Sequence, residues 1–392
     1  MKETGKFKTI DVILISLAHH IHDIYTSFLA PVQMLLIERF GINHTLFGLL
    51  AVIQRIPNLF NPYMGILAER FRIRYFVIAA PSVTAISMSL IGLAPWYSFL
   101  VVLVLISGIS SSMFHVPTPV MIRHVAGNRT GRGMSFYMVG GELARTVGPV
   151  IVIGAIDLWG FEGIFRLIPM GLVSSLILYI RFRYVDLRKD FPHEERKGNY
   201  SRAFREFLPL LLIIVAISFS QGFLKSCFTY YLPGYLEETG SSRWIAGISL
   251  SIVYLSGTAG ALFSGTISDF IGRRNTLLVF ALLSPLFAWI FILLDGKLIY
   301  PLLVLMGFSL MTPTPVFLAI IHRQNTKHLP FINGLYMTNN FLVSSLATLL
   351  TGFSFDHLGN EMTFRIAALI AFLAIPAVLL YKGKGETDQK VS

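Results

Sequence analysis

His19, His20, His22 and Asp23 crowd into five residues of a stretch otherwise built from Ile, Leu, Ala and Ser. His19 and Asp23 are four apart, so on a helix they share one face. An imidazole beside a carboxylate can hold or pass a proton near neutral pH. The alternative is a structural polar pair between helices. His20 projects from a different face and is expected to be structural. Three histidines also invite metal ligation, but their close spacing fans them around a helix of 3.6 residues per turn. No metal site and no cofactor is therefore expected.

Five more ionisable residues stand inside apolar stretches: Arg55, His115, Glu142, Arg145 and Lys225. Such residues are costly in lipid and usually face a bundle interior or water. Glu142 and Arg145, three apart, can pair on one helix face or contact a substrate. Glu142 is the second proton-coupling candidate after Asp23 and His19. Arg55 is expected to reach Asp23 across two helices. Lys225 is the lone cation of this kind in the second half, with snorkelling toward the surface as its alternative. Arg55, His115, Arg145 and Lys225, with Asn339 and Asn340, form the candidate substrate-binding set. With neutral histidines, the three fixed cations outnumber the two acids, and an uncompensated cation in low dielectric favours an anionic partner.

The elements that position these residues follow from composition. The chain has 392 residues, 54% hydrophobic and 14% charged, against about 25% charged in soluble domains. Apolar windows long enough to cross roughly 30 Å of hydrocarbon recur along its length. Backbone polar groups must be satisfied internally in lipid, so these windows are helices. Twelve spans are predicted near 10–37, 45–67, 75–94, 98–120, 134–157, 161–182, 206–232, 243–266, 276–294, 299–321, 332–355 and 360–381. The domains are then an N-terminal six-helix bundle, 1–182, a cytoplasmic linker, 183–205, and a C-terminal six-helix bundle, 206–392. The fold class is all-α membrane protein. Pro117 and Pro119 in the fourth span, mirrored by Pro313 and Pro315 in the tenth, predict broken helices there. Gly140, Gly141, Gly148 and Pro149 allow close packing and a bend in the fifth.

The formal charge of +11 is topological rather than a sign of nucleic acid. Of the 32 Lys and Arg, 24 fall in one alternating set of loops and tails, and five in the opposite set. By the positive-inside rule both termini and the linker are cytoplasmic. The first apolar segment lacks a small-residue cleavage site and is expected to be retained. Cys227 is the single cysteine, so no intrachain disulfide forms. No G-x-x-x-x-G-K-[ST] loop occurs, so ATP is not bound in that way. Neither H-E-x-x-H nor G-x-S-x-G occurs, and no enzyme activity is expected, a membrane-embedded enzyme being the least favoured reading.

The halves repeat. Tyr137 and Met138 recur as Tyr336 and Met337, Asp157 as Asp356, Gly160 as Gly359, and Glu162, Phe165 and Arg166 as Glu361, Phe364 and Arg365, all at one offset of 199 residues. Duplicated halves are associated with alternating access around a midplane site. Gly265, Asp269, Gly272, Arg273 and Arg274 resemble the major facilitator signature G-x-x-x-D-R-x-G-R-R. Gly65, Glu69 and Arg70 form a partial copy in the first half. The resemblance implies the major facilitator fold and a conformational latch, in which an acid at a helix end pairs with loop cations in one state and releases them in another.

A narrower resemblance is to fosmidomycin-resistance-type efflux proteins. His19 and Asp23 match their first-helix H-x-x-x-D. Ser111, Ser112, Phe114 and His115 match their fourth-helix S-S-x-F-H. Val139, Gly140, Gly141, Gly148 and Pro149 match their fifth-helix V-G-G…G-P. It implies export of phosphonate drugs or amino-acid-derived chelators. The expected function is a proton-coupled antiporter of a small anionic or zwitterionic solute, with import or uniport as the runner-up. The partners are the solute, protons and the lipid bilayer. The location is a bacterial or archaeal plasma membrane, and the chain is expected to be monomeric.

Overall fold

In a computed structural model, residues 7–61, 74–185, 200–294, 298–323 and 329–381 are described. Gly65, Glu69 and Arg70 of the expected latch lie outside them, as does 186–199 of the expected linker. The described residues are almost wholly helical and contain no strand. Among them, nine helical runs are long and apolar enough to cross a membrane. One of the nine, Tyr97–Trp159, is 63 residues long, about three times what one crossing needs.

The chain divides into two compact units. Unit 1 comprises Met1–Ile42, Leu50–Glu195 and Gly240–Ser251. Unit 2 comprises Asn43–Leu49, Arg196–Thr239 and Ile252–Ser392. Each is therefore one sequence half plus a short segment from the other.

Unit 1 is built on α1 (Thr9–Thr26), α2 (Gln33–Phe40), α3 (His44–Arg55, from Leu50 on), α4 (Arg74–Ser89), α5 (Tyr97–His115), α6 (Thr118–Ala126), α7 (Thr130–Trp159) and α8 (Ile168–Phe182). α5 stops at His115 and α6 starts at Thr118, with Val116 and Pro117 between them. Proline lacks the N–H a helix needs and clashes with the preceding turn. The core joins Val12, Ile15 and Ala18 of α1 to Val77 and Ile78 of α4, Phe114 of α5, Met121 and Ile122 of α6, Tyr137 of α7 and Leu178 of α8. Near the start of α1 the buried Asp11 is held by Arg181 Nε of α8 at 2.6 Å.

Unit 2 is built on α9 (Tyr200–Ser226), α10 (Leu232–Glu238), α11 (Arg243–Ile271, from Ile252 on), α12 (Arg273–Leu293), α13 (Ile299–Met311), α14 (Pro313–His322), α15 (Leu329–Leu358), α16 (Asn360–Ala371) and α17 (Ala374–Leu380). A π-helical turn, Cys227–Tyr231, separates α9 from α10. Thr312 divides α13 from α14, which opens on Pro313, repeating the break after α5. The core of unit 2 includes Ile217 of α9, Leu277 of α12, Phe317 of α14, Tyr336 of α15 and Val378 of α17. Tyr137 and Tyr336, equivalent by the sequence repeat, thus sit in equivalent cores. Gly272, φ +86°, makes the tight turn between α11 and α12, a conformation glycine adopts without steric cost.

α1 lies closely along α7. A Cβ at Gly140 would land 3.3 Å from the backbone carbon of Ser16 and closer still to its oxygen. Only glycine permits that approach, because the obstacle is backbone and cannot turn aside. Fifth-span glycines thus do what the sequence predicts, while α7 continues as one helix through Pro149. Gly140→Val is expected to destabilise the purified protein by about 1–3 kcal/mol, the usual cost of overpacking. Gly334→Ala, where a Cβ meets nothing within 4 Å, is expected to be neutral or stabilising. Thermal unfolding in detergent checks both, and equal melting temperatures for wild type and Gly140→Val would refute the contact.

Candidate functional site

The site grows from one face of α1. His19, His22 and Asp23 are buried together, while His20 turns to α7, its Nδ1 2.9 Å from the carbonyl of Gly140. Asp23 is 2% exposed. His19 Nε2 lies 3.3 Å from Asp23 Oδ2. His115 Nε2, at the end of α5, lies 3.3 Å from Asp23 Oδ1. His22 Nε2 is 3.9 Å from the same oxygen. The proline break after α5 is what leaves His115 at a helix end beside the carboxylate. The rings are fixed by stacking: His19 on Tyr137 at 4.0 Å between centroids and His22 on Phe114 at 4.6 Å. Gly141 leaves room for the first of these, since a Cβ there would stand 2.7 Å from His19 Nε2.

The hydrogen bonds assign the tautomers. His19 Nδ1 lies 2.8 Å from the carbonyl of Tyr137. A carbonyl only accepts, so Nδ1 carries the hydrogen. Ser110 donates to the carbonyl of Ala80 at 3.0 Å. Its one hydrogen being spent, Thr84 must donate in the 2.8 Å Thr84–Ser110 bond. Thr84 Oγ1 then accepts from His22 Nδ1 at 3.1 Å. Both His19 and His22, when neutral, therefore turn a bare Nε2 lone pair toward the Asp23 carboxylate. His22 Nε2 and Asp23 Oδ1 are indeed buried without a hydrogen-bond partner. Lone pairs facing a carboxylate repel it. The cluster is short of positive charge, and an added proton or a bound cation would supply it.

Other candidates stand apart from this cluster. The partners of Asp23 are His19, His22 and His115. Arg55, expected to pair with it, is not among them in the described residues; the half-buried guanidinium ends α3 instead. Glu142 and Arg145 pair along α7 at 3.3 Å, with both side chains partly exposed. In unit 2, Lys225 is half-buried, Asn339 is buried with its Nδ2 unbonded, and Asn340 is exposed. Gly265 and Asp269 are exposed on α11, Gly272 is the turn, and Arg273 begins α12. Arg274 donates to the carbonyl of Leu379 at 3.2 Å.

Sequence reasoning missed Thr84, Ser110 and the role of the Tyr137 carbonyl. Small hydroxyls in apolar helices are too common to signal a contact without knowing which helices meet. It also used Asp157 and Asp356 only as markers of the repeat. Within unit 2, Asp356 accepts from the backbone N–H of His44 and Thr45 at 2.8 and 2.9 Å, capping the start of α3. Such a carboxylate satisfies orphan amides and favours the positive end of the helix dipole. Within unit 1, Asp157 accepts from Trp244 Nε1 at the start of α11. The signal was present: both acids precede a repeated glycine at the end of equivalent helices.

The profile of the Major Facilitator Superfamily matches residues 15–348. A fosmidomycin resistance protein of Escherichia coli (strain K12) is 23% identical, over 96% of this chain and 94% of its own length. The multi-drug resistance efflux pump PmrA of Streptococcus pneumoniae is 24% identical over 56% of each chain. Among solved structures, an inward-facing bacterial homologue of the human lysosomal transporter Spinster superposes with a TM-score of 0.76 at 14% identity. It covers 97% of this chain and 98% of its own. The nucleoside transporter NupG superposes with a TM-score of 0.71 at 15% identity, over 95% of this chain and 99% of its own. The helical architecture and the matched profile agree with the repeated halves: the chain is an integral membrane transporter and belongs to the major facilitator superfamily.

Proposed function

We propose that this transporter is a proton-coupled exporter of a small anionic or zwitterionic solute, such as a phosphonate-type drug or an amino-acid-derived chelator, working by alternating access. The observation that carries the reading is the buried Asp23, facing histidine lone pairs that lack hydrogens. A site whose proton affinity depends on how close its imidazoles stand can tie protonation to conformation. His19 and Asp23 are the coupling pair, with Glu142 as the second acid. The fosmidomycin resistance protein and the efflux pump among its relatives support export.

Arg55, His115, Arg145, Lys225, Asn339 and Asn340 are the proposed solute contacts, and the excess of fixed cations supports an anionic group. Gly265, Asp269, Gly272, Arg273 and Arg274, with Gly65, Glu69 and Arg70, are the proposed latch. The bundles 1–182 and 206–392 move about the linker 183–205, as a monomer in a bacterial or archaeal plasma membrane with both termini cytoplasmic.

Asp23→Asn is expected to abolish uphill flux driven by a pH gradient in proteoliposomes while sparing solute exchange at equal pH. The amide keeps the shape of the site but cannot cycle a proton. Concentrative transport at the wild-type rate would make Asp23 structural and move coupling to Glu142. Arg145→Ala is expected to weaken binding of a carboxylate or phosphonate solute about tenfold or more, the usual scale for losing a charged hydrogen bond. Counterflow against a panel of phosphonates, aminocarboxylates, sugars and lipophilic cations reads this directly. Undiminished transport of a purely cationic compound as the preferred solute would overturn the anionic assignment.

A further inference from the structure

The cluster around Asp23 has the geometry of a metal site as well as of a proton site. His19 Nε2, a carboxylate oxygen of Asp23 and His115 Nε2 all lie within 4.8 Å of one another. A tetrahedral ion bound at about 2.0–2.1 Å sets its ligand atoms about 3.3–3.4 Å apart. Each histidine Nε2 already lies 3.3 Å from an Asp23 oxygen, His19 from Oδ2 and His115 from Oδ1, so a small rotation of the carboxylate brings one oxygen into range of both. The remaining edge, between the histidines, needs at most a modest closure.

The ring nitrogens turned away from this point are held as well. His19 Nδ1 is fixed by the Tyr137 carbonyl at 2.8 Å and His115 Nδ1 faces the Tyr137 hydroxyl at 3.4 Å. One residue of α7 therefore orients both imidazoles with Nε2 inward, the arrangement that outer partners impose on metal-binding histidines. Independently, Asp23 Oδ1 and His22 Nε2 are buried without a hydrogen-bond partner and lie 3.9 Å apart. His115, one third exposed, gives the cluster a way in.

We propose that His19, Asp23 and His115 bind a divalent first-row transition ion of the Zn²⁺ type, which competes with protons for the cluster. Two imidazoles and one carboxylate suit Zn²⁺, Co²⁺ or Ni²⁺, whereas Mg²⁺ and Ca²⁺ require six or more oxygen ligands. Three protein ligands leave a fourth position open, as in sites that accept an external ligand. The sequence expectation of no metal site rested on histidines of one helix fanning outward. That holds for His20, but the second imidazole comes from α5. The proposal deepens the coupling reading of the same residues.

The test is titration of the purified, metal-stripped protein, carrying a tag without histidine, with Co²⁺ and then Zn²⁺. One equivalent of Co²⁺ is expected to bind with the visible absorption of a tetrahedral ion and to be displaced by Zn²⁺. His115→Gln and Asp23→Asn should each weaken binding more than about tenfold, beyond the low end of outer-partner losses. His124→Ala, at an exposed position of α6, should leave it unchanged. Unchanged thermal unfolding of His115→Gln separates ligand loss from misfolding. Absence of saturable binding, or binding indifferent to both cluster variants, would overturn the site. Proton-driven flux in chelator-treated proteoliposomes is the separating measurement. Flux without Co²⁺ binding removes the metal and leaves proton coupling; Co²⁺ binding without pH-driven uphill flux supports the metal and removes the coupling.

Discussion

A carboxylate buried in an apolar helix must be neutralised by its neighbours, and Asp23, in the last turn of α1, imposes that condition on four helices of unit 1. α1 supplies His19 and His22. α5 supplies His115 at its proline-terminated end and Phe114 for stacking. α4 supplies Thr84, which holds His22 by its Nδ1. α7 supplies the Tyr137 carbonyl and the glycines that bring that carbonyl within reach. In hydrocarbon there is no water to absorb a mistake in any of these contacts. The close α1–α7 approach is therefore a requirement of the site and not only a packing preference.

Much of this arrangement could be read from the residues. The four-residue interval between His19 and Asp23 put them on one face, and they meet at 3.3 Å. Pro117 and Pro313 marked the breaks of the fourth and tenth spans, because the missing N–H acts locally whatever the helix packs against. Gly140 marked a close approach for the same local reason. What depended on helix crossing could not be read. Arg55 was a reasonable partner for Asp23 on charge alone, yet the imidazole of His115 occupies that role. Thr84 and Ser110 carry the hydrogen-bond chain that sets the His22 tautomer, and nothing in their own sequence neighbourhood distinguishes them from other buried hydroxyls. Similarly, a backbone carbonyl such as that of Tyr137 has no sequence signature.

The duplication supplies an internal comparison for the charged residues. The offset of 199 that relates Tyr137 to Tyr336 places Gln221 opposite His22 and Gly222 opposite Asp23. Ser284 stands one residue further along than the strict equivalent of Thr84. In unit 2, Ser284 Oγ lies 2.8 Å from Gln221 Oε1, sharing its hydrogen with the Phe280 carbonyl at 2.7 Å, and Gln221 Nε2 donates to the carbonyl of Ala371 at 3.2 Å. The hydrogen bond from the first helix of the half to the third is thus kept in both copies. In unit 2 it runs through an amide whose oxygen and nitrogen are each satisfied.

That comparison separates scaffold from chemistry. If the link between these helices needed an imidazole and a carboxylate, the second copy would need them as well. It is instead made by neutral side chains, at net hydrogen-bond energies of about 1 kcal/mol each. Replacing Gln221 by His and Gly222 by Asp on the same scaffold would add two groups that are expensive to bury as ions. Unit 1 carries that expense, and with it an unbonded Nε2 and an unbonded carboxylate oxygen. Buried polar atoms left unmatched in a helix bundle cost stability and add nothing to packing. Their presence at this position of one half, where the equivalent Gln221 of the other has both amide atoms engaged, is what the proposed binding of a positive species at Asp23 would explain.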